Sequence, residues 1–285
     1  MELKWKTDLP QHMKINENKG VTYLTYPAFE KFPEFYHGFS TRLGGVSKGI
    51  YSSMNLSFTR GDEEEAVLEN YRRIADAIGF PMEGIVCSDQ THTVHIRQVT
   101  EADKGKGVLQ KKDYTDIDGL ITNVPGITLT TFYADCVPLF FLDPVNKAAG
   151  LAHSGWRGTV GRMGEKMVKA MKDAFGSEPE NLYAGIGPSI CQDCYEVSAD
   201  VADRFREEFQ GYEEDAGLLY KTKPGKYQLN LWNANEIVLT EAGILREHIS
   251  FPGICTCCNP EFLFSHRASQ GKRGNLCAFL GVSIT

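Results

Sequence analysis

No stretch of this 285-residue chain approaches the roughly 18 consecutive apolar positions that a membrane-crossing helix needs. The first residues, Met1-Glu2-Leu3-Lys4-Trp5-Lys6, lack the apolar core of a secretory signal, so a cytoplasmic protein is expected. Basic residues are not in excess. Thirty Lys and Arg face 37 Asp and Glu, for a net charge of −7. That balance argues against a broad nucleic-acid surface or an anionic-membrane surface, while a small anion needs only a few local arginines. Internal repeats, low-complexity tracts and composition shifts are also missing. The expectation is one domain over residues 1–285, with residues 1–30 carrying no usable motif. Neither a P-loop nor a dinucleotide-binding glycine fingerprint occurs, which removes the usual grounds for a nucleoside triphosphate or a nicotinamide cofactor.

Cysteine, by contrast, is plentiful, with eight residues. In a reducing compartment these are buried, metal-binding or reactive rather than disulfide-bonded. Cys87 and Cys277 sit in apolar runs and read as small core residues. Cys191 and Cys194 form C-x-x-C, and Cys255, Cys257 and Cys258 form C-x-C-C. Together they could make a structural zinc site, against which the second half, taken as C-x-C-C, lacks the usual two- to four-residue ligand spacing.

Helical periodicity recurs over about residues 62–78, 159–175, 198–209 and 230–242. Asp62 and Glu65 resemble a capping box at the first, and Gly79, Gly176 and Gly243 are stop signals. The methionines 163, 167 and 171 are at core spacing. Strand-like runs cover 85–88, 93–99, 127–133, 137–142, 147–152, 182–186 and 275–282. Several follow one another without a helix between them, which favours a layered α+β fold over a regular βαβ wind.

Residues 134–153 hold two apolar runs around Asp143-Pro144-Val145-Asn146, the pattern of a hairpin. If Leu142 pairs with Lys147, Cys136 falls opposite His153, with Cα atoms about 4.5–5.5 Å apart. A thiol facing an imidazole at a sheet end is either a nucleophile–base pair or part of a metal site. His92, in Gln90-Thr91-His92 between two strands, completes a His-Cys-His set. Three such ligands leave a fourth position open, as in catalytic zinc sites. Zinc there keeps the thiolate and acidifies a bound water. His95 competes as a ligand but points to the other face of a regular strand. Asp135 reads as an acid/base group, as the orienter of a ligand imidazole or as a solvated carboxylate at the strand end, and Asp118 has the same ambiguity, although an Asp before Gly119 is usually a turn residue. Two glycine-rich loops add anion-binding candidates. One offers Ser40 and Arg42, and the other runs from His153 through Trp156 and Arg157 into a helix start.

At this point a family resemblance emerges. Phe39-Ser40-Thr41-Arg42-Leu43-Gly44-Gly45-Val46-Ser47, Gln90-Thr91-His92, Thr131-Phe132-Tyr133-Ala134-Asp135-Cys136-Val137-Pro138 and Ala152-His153-Ser154-Gly155-Trp156-Arg157-Gly158 occur in order. Gly185-Ile186-Gly187-Pro188-Ser189-Ile190 and Phe264-Ser265-His266-Arg267 follow. Beyond about residue 35 the chain resembles the purine nucleoside phosphorylase family formerly called laccase-domain or polyphenol-oxidase-like proteins. Thr91, Thr93 and His266 depart from the family pattern.

The resemblance implies an α/β/β/α-type sandwich with mixed sheets and zinc held by His92, Cys136 and His153. It further implies phosphorolysis of adenosine, inosine, guanosine and methylthioadenosine, with adenosine deamination as a second reaction. Ser40, Arg42 and Arg157 are then the expected substrate and phosphate residues, and His92, Cys136, His153 and Asp135 the catalytic set. Three rival readings remain: a metal-free cysteine hydrolase using Cys136 and His153, a copper-dependent phenol oxidase, and a non-enzymatic protein stabilised by a closed zinc site.

Overall fold

The computed structural model describes residues 3–6, 12–212 and 217–284. Its strands in chain order are β1 (Lys14–Asn18), β2 (Val21–Thr25), β3 (Phe35–Ser40), β4 (Ile85–Cys87), β5 (Ile96–Gln98), β6 (Gly119–Thr122), β7 (Thr128–Tyr133) and β8 (Val137–Asp143). Then come β9 (Ala148–Ser154), β10 (Tyr183–Ile186), β11 (Glu196–Ser198), β12 (Leu219–Lys223), β13 (Lys226–Leu229), β14 (Ile249–Ser250) and β15 (Leu276–Val282). The helices are α1 (Glu64–Ile78), α2 (Trp156–Val160), α3 (Met163–Phe175), α4 (Ala199–Glu208), α5 (Leu231–Glu241) and the short α6 (His266–Ser269).

Two six-stranded sheets face each other, in orders β1-β2-β3-β15-β7-β4 and β14-β10-β8-β9-β6-β5, with a small third sheet β11-β13-β12. Each large sheet is mixed: β4 runs parallel to β7, β5 to β6 and β10 to β14, and the other pairings are antiparallel. β8 shows why the stack is layered. Phe140 and Leu142 pack between the sheets with Phe39, Leu129 and Leu280. Leu139 and Phe141 face the other way, onto Met163, Met167 and Met171 of α3, Phe205 of α4 and Val238 of α5. A strand buried on both faces reads as a continuous apolar run, and the alternation of its side chains supplies two cores at once. Val67, Tyr71 and Ile74 of α1 cover the outer face of the other sheet, against Phe279 and Ile85. The result is the α/β/β/α sandwich expected from the family resemblance.

Several local expectations change. Residues 14–25 form a hairpin whose turn uses Lys19 and Gly20, both at positive φ (51° and 76°), the geometry of a tight primed turn. Asp62 does not cap α1: its carboxylate accepts from the Glu63 amide and from Asn55 instead. The helix expected from residue 159 is two helices, because Arg162 adopts a left-handed conformation (φ 58°) and pairs with Glu165, Glu208 and Glu241. No helix among the described residues is long and apolar enough to cross a membrane.

His37 on β3 carries a consequence for acid stability. It lies buried between Tyr26 and Phe29, and its Nε2 accepts the Tyr26 amide at 2.7 Å. Burial and the Lys14 charge lower its pKa from 6.5 to about 3. As pH falls below 6.5 the unfolded chain binds a proton that the folded chain refuses. Stability is therefore present above 6.5 and drains away towards pH 3, by up to about 1.4 kcal/mol per pH unit. His37→Gln keeps an acceptor for the Tyr26 amide and is expected to flatten the decline in equilibrium unfolding between pH 6.5 and 4. An unchanged slope would refute the assignment.

Candidate metal centre and its cavity

The β8–β9 hairpin turns through residues 144–147, so that Asp143 pairs with Ala148 and Pro138 with His153. Asp143 is buried and accepts from the Val145 and Asn146 amides at 2.9 and 3.1 Å, which fixes the longer turn, and Lys147 takes a positive φ of 49°. Cys136 therefore lies two positions out of register with His153 rather than directly opposite. A slip of one residue would have sent the two side chains to opposite faces, whereas a slip of two preserves the face. The thiol and imidazole stay neighbours on the diagonal.

His92 joins them: the ligand atoms of His92, Cys136 and His153 all lie within 4.8 Å of one another. The imidazoles meet edge to face, with ring centroids 4.9 Å apart. Burial is graded, from exposed His92 through half-buried Cys136 to buried His153, so the group is open on one side. Gly155 leaves the room. A Cβ built there comes within 3.1 Å of Cys136 Sγ and 3.4 Å of His92 Cδ2. Gly155→Ala faces no backbone strain, its φ being −69°. It is expected to keep the fold but weaken metal retention, measurable by competition with a chelator; wild-type retention would refute this crowding.

Asp118, for which the sequence left open an orienting role or a plain turn, organises the site. It is fully buried and accepts from the amides of Thr91 (2.9 Å), His92 (3.2 Å) and Thr93 (3.1 Å), the Thr93 hydroxyl (3.2 Å) and His153 Nδ1 (2.7 Å). The last bond leaves His153 Nε2 free as a ligand, and the amide bonds hold the loop in which His92 has φ 67°. Burial alone would raise the Asp118 pKa, yet His153 and the loop amides hold it below the ordinary carboxylate value. Burial likewise opposes a thiolate at Cys136, but the His153 and His92 rings bring its pKa down to about 6. The same pairing, with Asp118, raises His153 to about 9 against its burial. Each group thus stabilises the charged form of the other, imidazolium favouring thiolate and thiolate favouring imidazolium.

Asp135 faces elsewhere. One carboxylate oxygen accepts from Thr256 Oγ1 at 2.6 Å and the other from the Arg267 amide at 2.7 Å. The orienting task foreseen for Asp135 belongs to Asp118, and Asp135, at φ 95°, anchors the backbone just before Cys136. His95 is exposed and bonded to Asp116, away from the trio.

The three metal candidates line a cavity of about 410 Å³, a size suited to a small organic ligand. Phe58 and Phe132 form its apolar wall, Arg60 and Arg273 supply positive charge, and Lys112 lines it paired with Asp89. None of the residues expected to bind substrate is there. Ser40 is buried, its hydroxyl accepting the Cys277 amide at 2.9 Å. Arg42 spends its guanidinium on the carbonyls of Ser52 and Pro260 and stacks on Phe264. Arg157 is exposed and lies over the Trp156 ring, 4.4 Å from its centre. Trp156 itself packs partly buried against the helix-side core. α2 has only five residues, too short for the helix-terminus anion pocket expected beside Arg157.

The cavity's own cations are set more tightly. Burial and the adjacent Arg60 charge pull the Arg273 pKa down to about 10, and its buried Nε has no hydrogen-bond partner. Nothing in sequence marked Arg60, Lys112 or Arg273, which come from three separate loops.

The cysteines also converge. Cys191, Cys194, Cys255 and Cys258 have sulfur atoms within 4.8 Å of one another, contrary to the expectation from spacing. The signal was present: with Cys257 set aside, Cys255-Thr256-Cys257-Cys258 is itself a C-x-x-C pair.

A four-layer sandwich with an open thiolate and bis-imidazole group beside a cationic cavity defines a class of small-molecule site. The chain belongs to the family described as "Multi-copper polyphenol oxidoreductase laccase", whose sequence model matches residues 36–283. It is similar to the purine nucleoside phosphorylase YlmD of Bacillus subtilis (strain 168), with 38% identity over 87% of this chain and 89% of that protein. A purine nucleoside phosphorylase of Deinococcus radiodurans is 36% identical over 86% of this chain and 88% of its own length. Among solved structures, YlmD from Geobacillus stearothermophilus superposes with a TM-score of 0.87 and 35% identity, covering 96% of this chain and 100% of that one.

Proposed function

We propose that this protein is a cytoplasmic purine nucleoside phosphorylase that uses zinc bound by His92, Cys136 and His153. The observation that carries the reading is the pairing, in one cavity, of that donor trio with the guanidinium groups of Arg60 and Arg273. Two imidazoles and one thiolate, with Gly155 leaving space beside them, suit a zinc ion with an open position. When bound, zinc supplies a Lewis acid for charge that develops on the substrate.

The chain's own residues account for the rest. Arg60 and Arg273, crowded and one with an unsatisfied Nε, are relieved by a dianionic phosphate between them. Phe58 and Phe132 offer apolar surface to the purine. The phosphate oxygen bonds to the anomeric carbon as the C1′–N9 bond breaks, its electron pair leaves on the purine, and the phosphate's proton ends on the base. Stacking on Phe58 and Phe132 is indifferent to the ring substituents, which supports acceptance of adenosine, inosine, guanosine and methylthioadenosine alike. Adenosine deamination at the same centre is part of the proposal and is read as phosphate-independent inosine formation.

The copper oxidase named in the family description has less support in the residues. No His-x-His pair occurs in the sequence, and the trio provides for one ion. Hydrogen bonds to a charged group are worth about 1.5–3 kcal/mol. Arg273→Ala is therefore expected to raise the KM for phosphate by roughly 10–100-fold, with a smaller change in the KM for inosine. Release of hypoxanthine that ignores phosphate, or an unmoved phosphate KM, would sink this assignment.

A further inference from the structure

Outside the cavity, the convergence of four cysteines from two distant loops has no role in the chemistry above. Cys191 and Cys194 flank the turn after β10, and Cys255 and Cys258 follow β14. Cys194 Sγ lies 3.5 Å from Cys258 Sγ, and Cys191 Sγ lies 3.9 Å from it. Disulfide sulfurs stand about 2.05 Å apart, so these are not bonded pairs. Sulfurs around a tetrahedral zinc, at about 2.3 Å from the metal, are separated by about 3.8 Å. The two distances to Cys258 bracket that value, and all four sulfurs lie within 4.8 Å of one another.

Hydrogen-bond donors and a cation also face the sulfurs, as around a thiolate cluster. The amides of Cys191 and Cys258 both point at Cys255 Sγ, at 3.2 and 3.4 Å, stabilising charge on that sulfur. Lys6, held by Asp193 at 2.9 Å, places an ammonium close enough to interact with Cys191 and Cys258. Cys191 and Cys255 are buried beside Ile190, while Cys194 and Cys258 are half-buried, and Tyr195 and Trp232 pack against the group.

We propose that Cys191, Cys194, Cys255 and Cys258 form a second, structural zinc site, closed by four thiolates. Its two loops also hold the wall of the cavity. The Ile190 amide donates to the Asp135 carbonyl at 3.0 Å, and Thr256, inside the second C-x-x-C, donates its hydroxyl to the Asp135 carboxylate at 2.6 Å. Arg267, whose amide takes the other carboxylate oxygen, reaches back to the Cys194 carbonyl at 3.3 Å. Cross-linking the loops thus fixes Asp135 and, one residue on, Cys136. The second metal is a brace for the first site, not a reactant.

The test is metal content and ligand identity in the full-length protein. Wild-type protein is expected to carry two zinc ions per chain. A His92→Ala/Cys136→Ala variant empties the first site and should retain one, with an X-ray absorption shell of four sulfurs at about 2.3 Å. Cys194→Ser/Cys258→Ser should lose that ion and keep one with a mixed nitrogen–sulfur shell. If the serine variant does not fold, the first variant decides by itself. A metal-free first variant, a nitrogen-containing shell in it, or mass-spectrometric detection of disulfides among these four cysteines would overturn the proposal. Failure of the catalytic zinc reading alone would instead leave wild-type protein with a single, all-sulfur ion.

Discussion

Asp118→Asn is expected to reduce metal affinity by roughly 10–100-fold and to destabilise the fold by about 3–5 kcal/mol. The size follows from how much converges on one carboxylate. Its two oxygens accept three consecutive loop amides, a threonine hydroxyl and the His153 ring. An amide in its place presents an NH2 where only donors point, so at least one buried donor loses its acceptor. If the side-chain oxygen stays with the Thr91–Thr93 loop, His153 is no longer held with Nε2 towards the other ligands. If it stays with His153, the loop carrying His92 loosens. Either way a ligand drifts. Chelator competition and thermal unfolding read the two effects separately, and wild-type metal affinity in a folded Asp118→Asn protein would disprove the orienting role.

The second large effect is at Cys136. Cys136→Ala removes the only anionic ligand of the trio, leaving two neutral imidazoles, one of them exposed. The expected loss of phosphorolysis exceeds the ~10–100-fold of an outer-shell change, and bound metal should fall with it. This substitution alone does not separate a metal enzyme from a cysteine hydrolase, since both need the thiol. His92→Ala does. A Cys136–His153 dyad would survive it, whereas a three-ligand centre would not. Equal damage from the two substitutions, in activity and in metal content, is the expected pattern. Retained activity in His92→Ala would favour the hydrolase.

Much of this architecture was legible in the chain because periodicity is a local property. α1, α4 and α5 and the strands buried on both faces announced themselves through apolar spacing. The convergence of His92, Cys136 and His153 was legible too, although the hairpin register was two residues out, because the Asp143 turn depends on side-chain bonds to Val145 and Asn146 that a count of apolar residues does not detect. β1 escaped notice because it is a polar edge strand, and β2 because its buried Val21 and Leu24 do not alternate with period two, though Lys19-Gly20 was a fair turn signal. Asp118 could not be told from an ordinary Asp-Gly turn, since its partners are brought in from Thr91–Thr93 and His153. Arg60 and Arg273 were invisible for the same reason, being joined only where separate loops close one cavity. Arg42, prominent in its motif, serves backbone carbonyls instead. The paired C-x-x-C was missed for a plainer reason: Cys257 obscured a spacing that was there.

The central claim is that one metal centre drives a phosphate-dependent cleavage of purine nucleosides. Its most direct test uses purified protein before and after chelation and after zinc repletion, assayed with inosine for hypoxanthine and ribose 1-phosphate. The prediction is product formation that requires phosphate, disappears with the metal held by His92, Cys136 and His153, and returns with zinc. Full phosphorolysis by metal-free protein, or base release without phosphate, would contradict it.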